Sequence, residues 1–178
     1  PDGTITFSPA AGFTGPASQV TYRIEDANGA QDTATLDVTV RTGPAPTADT
    51  ATTPQNVTVQ VSPLSNDTPG RNTDGSAGVM DPSSVLFPTA GQPAGATVTD
   101  GGRTLTVPGE GVYTVNPTTG VVTFDPEPAF TGAASAVTYA VDEVVLDGGG
   151  QEVRTSRTST LAITVTPITP VATDDATT

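Results

Sequence analysis

VVTFDPEPAFTGAASAVTY, residues 121–139, repeats TITFSPAAGFTGPASQVTY, residues 4–22, at a constant offset of 117. Phe7, Pro9, Phe13, Thr14, Gly15, Val20, Thr21 and Tyr22 have identical counterparts in the later copy. LDVTV at 36–40 returns as LAITV at 161–165, and ADTATT at 48–53 as TDDATT at 173–178, both at offset 125. The added residues fall between Tyr139 and Leu161, around VLDGGGQEVRTSR, where a hairpin tolerates a longer loop. An internal period of this kind fixes the organisation before any strand is placed. Residues 1–42 read as the C-terminal half of a preceding repeat, 43–53 as a Pro/Thr-rich, extended and stiff joint, 46–167 as one complete repeat, and 168–178 as the start of the next.

The punctuation within the unit is that of short strands. Gly 19 and Pro 17 in 178 residues leave no capped amphipathic window long enough for a helix, so almost no helix is expected. Alternating apolar runs place strands at 57–61, 85–87, 97–99, 104–107, 113–115, 121–124, 137–145 and 158–167. Asp100, Gly101 and Gly102 supply one hairpin turn and NPTTG at 116–120 another. In the first half, VTYRIED turns at Ala27, Asn28 and Gly29 into TATLDVTV, and Asn-Gly supplies the positive-φ turn. About eight short strands in one unit give an all-β fold of tandem β-sandwich repeats, Ig-like or cadherin-like.

The missing residues exclude chemistry. With no Cys, His, Lys or Trp, the chain has no thiol nucleophile, imidazole base, disulfide, ordinary zinc site or Lys–Asn crosslink. A net charge of −13 repels nucleic-acid phosphates and anionic membrane surfaces, and keeps an exposed polymer soluble. No membrane-inserting run of about 20 apolar residues is present.

SNDTPG at 65–70, MDPSSVLF at 80–87, GEGVYTVNPTTGVVTFDPEPAFTG at 109–132, VTYAV at 137–141 and LAITVTP at 161–167 resemble the CshA-type fibril repeats of long bacterial surface adhesins. The resemblance covers nearly the whole chain, and its long middle segment is the specific part. It implies many repeats in series on the bacterial cell surface, outside the cell. Together they form a stalk that projects an adhesive region lying elsewhere in the full protein. The partners it implies are neighbouring repeats of the same polypeptide or fibril, with a host or community surface ligand bound elsewhere in the full protein.

No catalytic, cofactor-binding or metal-binding residue is singled out, and the chain is read as a non-enzyme. In TFDPEPAFTG, Phe124 and Phe130 are expected as core plugs, Pro126 and Pro128 as an extended corner, and Gly132 as a turn; Phe7, Phe13 and Gly15 are expected to do the same. Tyr22 and Tyr139 are expected in the core with a hydroxyl partner. Calcium is the sharper alternative, with Asp26, Asn28 and Asp32, then Asp142, Glu143 and Asp147, and Asp49 or Asp174 with Asp175 as candidate ligands. None of these spacings is an EF-hand, and Asp at a turn commonly caps its own backbone. A carbohydrate-binding module would stack sugars on exposed Trp or Tyr, of which the chain has none and three. A filament whose N-terminal half-repeat is completed by strands of a neighbour is a further reading, since residues 1–42 alone cannot bury two faces. The role expected is mechanical, with antiparallel ladders between terminal strands loaded in shear.

Overall fold

The alternating runs become ladders in a computed structural model that describes residues 3–169. The first strands are β1 (Gly15–Pro16), β2 (Val20–Glu25), β3 (Gln31–Leu36) and β4 (Thr39–Val40). Ten more follow: β5 (Asp49–Pro54), β6 (Val59–Val61), β7 (Val79–Leu86), β8 (Thr97–Thr99), β9 (Thr104–Val107), β10 (Gly111–Val115), β11 (Val122–Pro126), β12 (Gly132–Ala133), β13 (Val137–Leu146) and β14 (Glu152–Thr166). Among the described residues, helix is confined to two single 3-10 turns, Pro63–Ser65 and Asp100–Gly102.

Residues 49–166 form two five-stranded sheets packed face to face. One is antiparallel in the order β6-β11-β10-β9-β8. The other runs β12-β14-β13-β7, with β5 paired to β14. The period-2 pleat sends alternate residues inward. Leu105, Val107, Tyr113, Val115, Val122 and Phe124 come from the first sheet. Val85, Val137, Tyr139, Val141, Leu161, Ile163 and Val165 meet them from the second. The Tyr113 ring lies against Phe124, with centroids 4.4 Å apart, and edge-on to Phe87 at 6.0 Å. At strand edges, polar side chains continue the ladders. Beyond the end of β7, the Gln92 amide donates to Thr138 O at 2.6 Å and accepts from Thr138 N–H at 3.2 Å, imitating a paired strand.

Three expectations need correction. Residues 49–53, taken from their Thr content as part of an extended joint, belong to β5, which pairs in parallel with β14 from Asp49↔Leu161 to Pro54↔Thr166. The pairing uses backbone groups, and only Asp49, Ala51 and Thr53 turn inward, so no apolar run marks it. The terminal ladder is therefore parallel, not antiparallel. Second, the inserted residues do not lengthen the hairpin loop. Asp26 and Asp147 close the same turn, accepting from Asn28 and Ala30 N–H in one case and from Gly149 and Gln151 N–H in the other. The extra residues lengthen β13 and β14 instead: the β13–β14 register runs on from Asp142↔Ser156 through Glu143↔Thr155 to Leu146↔Glu152, where β2–β3 turns at once. Third, Phe7, Phe13 and Tyr22 are exposed rather than core residues, because no second sheet lies over them among the described residues.

Candidate functional site

Asp49, Asn66 and Asp67 gather where the chain enters the sandwich. Residues 41–49 are strapped across the 62–73 loop. Ala45 and Thr68 exchange backbone hydrogen bonds at 2.9 and 3.3 Å, Arg71 N–H donates to Thr42 O at 3.0 Å, and the Arg41 guanidinium donates to Thr73 O at 2.7 Å. Thr47 N–H donates to Asp67 Oδ1 at 2.7 Å, and the Asn66 amide to Ala48 O at 3.3 Å. SNDT at 65–68 thus acts through short polar side chains that bond neighbouring backbone, the habit of Asn and Asp outside regular structure.

Below this strap lies a buried polar latch. Asp49 opens β5 facing inward, and the Tyr139 hydroxyl donates to its Oδ2 at 3.0 Å. Burial pushes the Asp49 carboxyl above its usual range; the tyrosine hydrogen bond opposes this and the nearby Asp67 carboxylate adds to it. Asp67 is raised as well, mainly by burial, and its Oδ2 has no hydrogen-bond partner among the described residues. Burial likewise holds the Tyr139 phenol protonated, with Asp49 adding to the effect. The phenol therefore serves as a fixed donor.

Glu143 stands two residues beyond Val141 on the inward face of β13, in the lengthened part of the hairpin, and is 1% exposed. Gly70 N–H donates to its carboxylate. Only glycine fits opposite it: a Cβ on Gly70 would lie 2.5 Å from Thr42 O and 2.9 Å from the carboxylate, and one on Gly78 2.7 Å from it. Burial raises the Glu143 carboxyl, with the Gly70 hydrogen bond and the Arg157 charge pulling it back. The longer hairpin also receives the loop: Leu146 N–H donates to the Asn72 side chain at 2.8 Å, and Thr73 N–H to Leu146 O at 3.2 Å.

The calcium candidates do not converge. Asp26 and Asp147 each cap their own turn, and backbone hydrogen bonds from Ala30 and Asn28 lower the Asp26 carboxyl. Asp32 accepts from Thr33 N–H at 2.8 Å. Asp142 and Glu143 are adjacent in β13 and point to opposite faces. Asn28 sits at its turn, and Asp174 and Asp175 lie outside the described residues. Among the described residues, no group of three or more acidic side chains is placed to hold an ion. Of the motif residues, Phe124 and Pro126 are buried, Phe130 packs at the core margin, and Pro128 is exposed, its carbonyl accepting from Gln55 at 2.8 Å. Gly132 and Gly15, expected at turns, instead open the strands β12 and β1, with φ of 107° and 106°.

Sequence reasoning missed Asp67 and the seat of Glu143. Asp67 stands in the quoted SNDTPG motif, so its signal was present. Glu143 carried one too, because a lone acid at an inward position of VTYAVDEVV breaks the apolar alternation.

No described helix is long and apolar enough to cross a membrane. Residues 1–39 match the bacterial Ig domain family, and no curated protein is similar to the chain at a level that carries an argument. Residues 42–161, about two thirds of the chain, match the surface adhesin CshA repetitive domain. The all-β sandwich agrees with that match, and the chain belongs to the CshA repetitive-domain family of surface adhesins.

Proposed function

We propose that the chain is a load-bearing stalk repeat of a bacterial surface fibril. In this reading it sits outside the cell, catalyses nothing, has neighbouring repeats as its partners and needs no bound cation to hold its shape. The observation that carries this reading is the parallel pairing of the first and last strands of the sandwich, β5 and β14. Tension enters at the N-terminal end of β5 and leaves at the C-terminal end of β14, so it acts at opposite ends of one ladder. All its hydrogen bonds are then strained together rather than opened one by one. The strap of residues 41–49 supports the same reading, because a joint held by backbone hydrogen bonds resists bending where a free Thr/Pro linker would not. The acidic side chains that a cation would need already serve turns and the latch.

Small-angle scattering on two tandem copies of residues 43–167 tests this reading, with and without a calcium chelator. The expected profile is that of an elongated particle unchanged by chelation. A compact particle would overturn the stalk reading, and an elongated one that loosens on chelation would overturn its independence of cations.

A further inference from the structure

The two copies of the repeated segment fold alike but are covered differently. Val20↔Leu36 and Tyr22↔Ala34 take the same register as Val137↔Leu161 and Tyr139↔Ser159, and Gly15↔Val40 the same as Gly132↔Val165. The correspondence extends to the loops. Phe13 N–H to Ala10 O (3.0 Å) and Ala17 N–H to Val38 O (2.8 Å) match Phe130 to Glu127 (2.9 Å) and Ala134 to Ile163 (2.9 Å). Yet Phe7, Val20, Tyr22 and Ile24 are 42%, 47%, 37% and 62% exposed, while Phe124, Val137, Tyr139 and Val141 are 0%, 0%, 0% and 1% exposed.

The later copy owes its burial to β5–β10. Leu105 and Tyr113 lie over β13 and β14, β7 pairs with β13, and β5 pairs with the free edge of β14. The earlier copy shows by its local structure what is missing. Val122–Pro126 is a strand because β6 and β10 flank it, whereas its counterpart, residues 5–9, forms none. Gly3, at φ 76°, stands where Gly120, at φ 67°, closes the β10–β11 turn.

We infer that the bare face of residues 4–42 is a docking surface for a half-repeat of the kind formed by residues 46–115, joined directly ahead of Thr4 as Gly120 joins Val121. The inference deepens the stalk reading and rests on it. The occupant is specified chemically. It brings a strand like Asp-Thr-Ala-Thr-Thr, laid parallel to β3 and β4, with its Asp accepting from the Tyr22 hydroxyl as Asp49 accepts from Tyr139. Over Val20, Ile24 and Leu36 it lays an apolar sheet like β8–β10. A polar ligand does not match a face so rich in aromatic and aliphatic groups, and an isolated two-stranded hairpin with one bare face is marginal in water.

The test is hydrogen exchange on the full chain and on a version carrying a second copy of residues 43–120 directly before Thr4. In the extended chain, the amides of β2 and β3 are expected to exchange at least about 100-fold more slowly than in the unextended chain, approaching those of β13 and β14. Substituting Val20→Asp with Ile24→Asp in the extended chain is expected to abolish protection in the hairpin and in the added copy together, leaving residues 49–166 unchanged. Unaltered exchange in β2 and β3, whether or not the added copy becomes protected, would overturn the inference. So would concentration-dependent protection of the unextended chain that the added copy does not increase, which would assign the face to a second molecule. Tandem copies of residues 43–167 do not contain this face, so failure here leaves the scattering test of the stalk reading standing.

Discussion

Two tyrosines in this core look alike in the sequence and differ in what their hydroxyls do. Tyr139 donates to Asp49, whereas the Tyr113 hydroxyl is buried with no partner among the described residues. Removing one member of a buried pair strands the other, while removing an orphan relieves its desolvation. Tyr139→Phe is therefore expected to lower stability by about 1–3 kcal/mol, and Tyr113→Phe to leave it unchanged or raise it, as read by denaturant midpoints. Equal losses in both would show that the latch contributes nothing. Glu143→Gln keeps an acceptor for Gly70 N–H and removes a carboxyl whose ionisation burial opposes. It is expected to stabilise the fold at neutral pH by about 1 kcal/mol, a gain that shrinks as acid protonates the wild-type residue. A loss at neutral pH would mean that the Arg157 attraction outweighs burial. The core role of Tyr139 was legible from its place in VTYAV, but its partner was not, because Asp49 lies 90 residues away.

At the scale of elements, the sheets facing the core were readable and the strand that closes them was not. TVT at 97–99 and TLTV at 104–107 form strands within those bounds, because their alternation reports the pleat directly. DTATTP carries no such signal. Its inward residues are Asp49, Ala51 and Thr53, and its pairing is fixed by a distant strand. Proline placement exposes the geometry. Gln55 N–H donates to Thr166 O at 2.8 Å, so Gln55, Thr53 and Ala51 share the edge facing β14, and Pro54 occupies a position facing away. Ala51→Pro removes a ladder donor and is expected to cost about 3 kcal/mol, whereas Thr52→Pro falls on the outward-facing edge and is expected to cost less than about 1 kcal/mol. Thermal melts of the two variants check this; equal shifts would contradict the pairing. The hairpin insertion was located correctly between Tyr139 and Leu161 but assigned to a loop. Sequence spacing counts added residues without distinguishing a longer turn from longer strands.

For the whole molecule, the balance of carboxyls sets the response to pH. Asp49, Asp67 and Glu143 are raised in the fold, so it binds protons more tightly there than the unfolded chain does, and their ionisation at neutral pH costs stability. Acidification from neutral toward the ordinary carboxylate range, about pH 4, recovers that cost and also relieves the repulsion of a −13 chain. Asp26, Asp74 and Asp81 are lowered by hydrogen bonds, with the Arg154 pair leading at Asp81, so what they contribute is lost only as pH falls below that range. Melting temperature is expected to rise on mild acidification and fall in strong acid. A monotonic fall from neutral would show that ionising the raised carboxyls costs the fold nothing.

If residues 49–166 bear tension through the β5–β14 ladder, pulling a single molecule by its two ends will load that ladder in shear. This sandwich is expected to open in one cooperative event, releasing about 40 nm of chain less its folded span at about 3.4 Å per residue. The opening force should drop several-fold in Ala51→Pro and hardly at all in Thr52→Pro. Release of β5 alone at low force, followed by stepwise opening of the rest and indifference to Ala51→Pro, would contradict it.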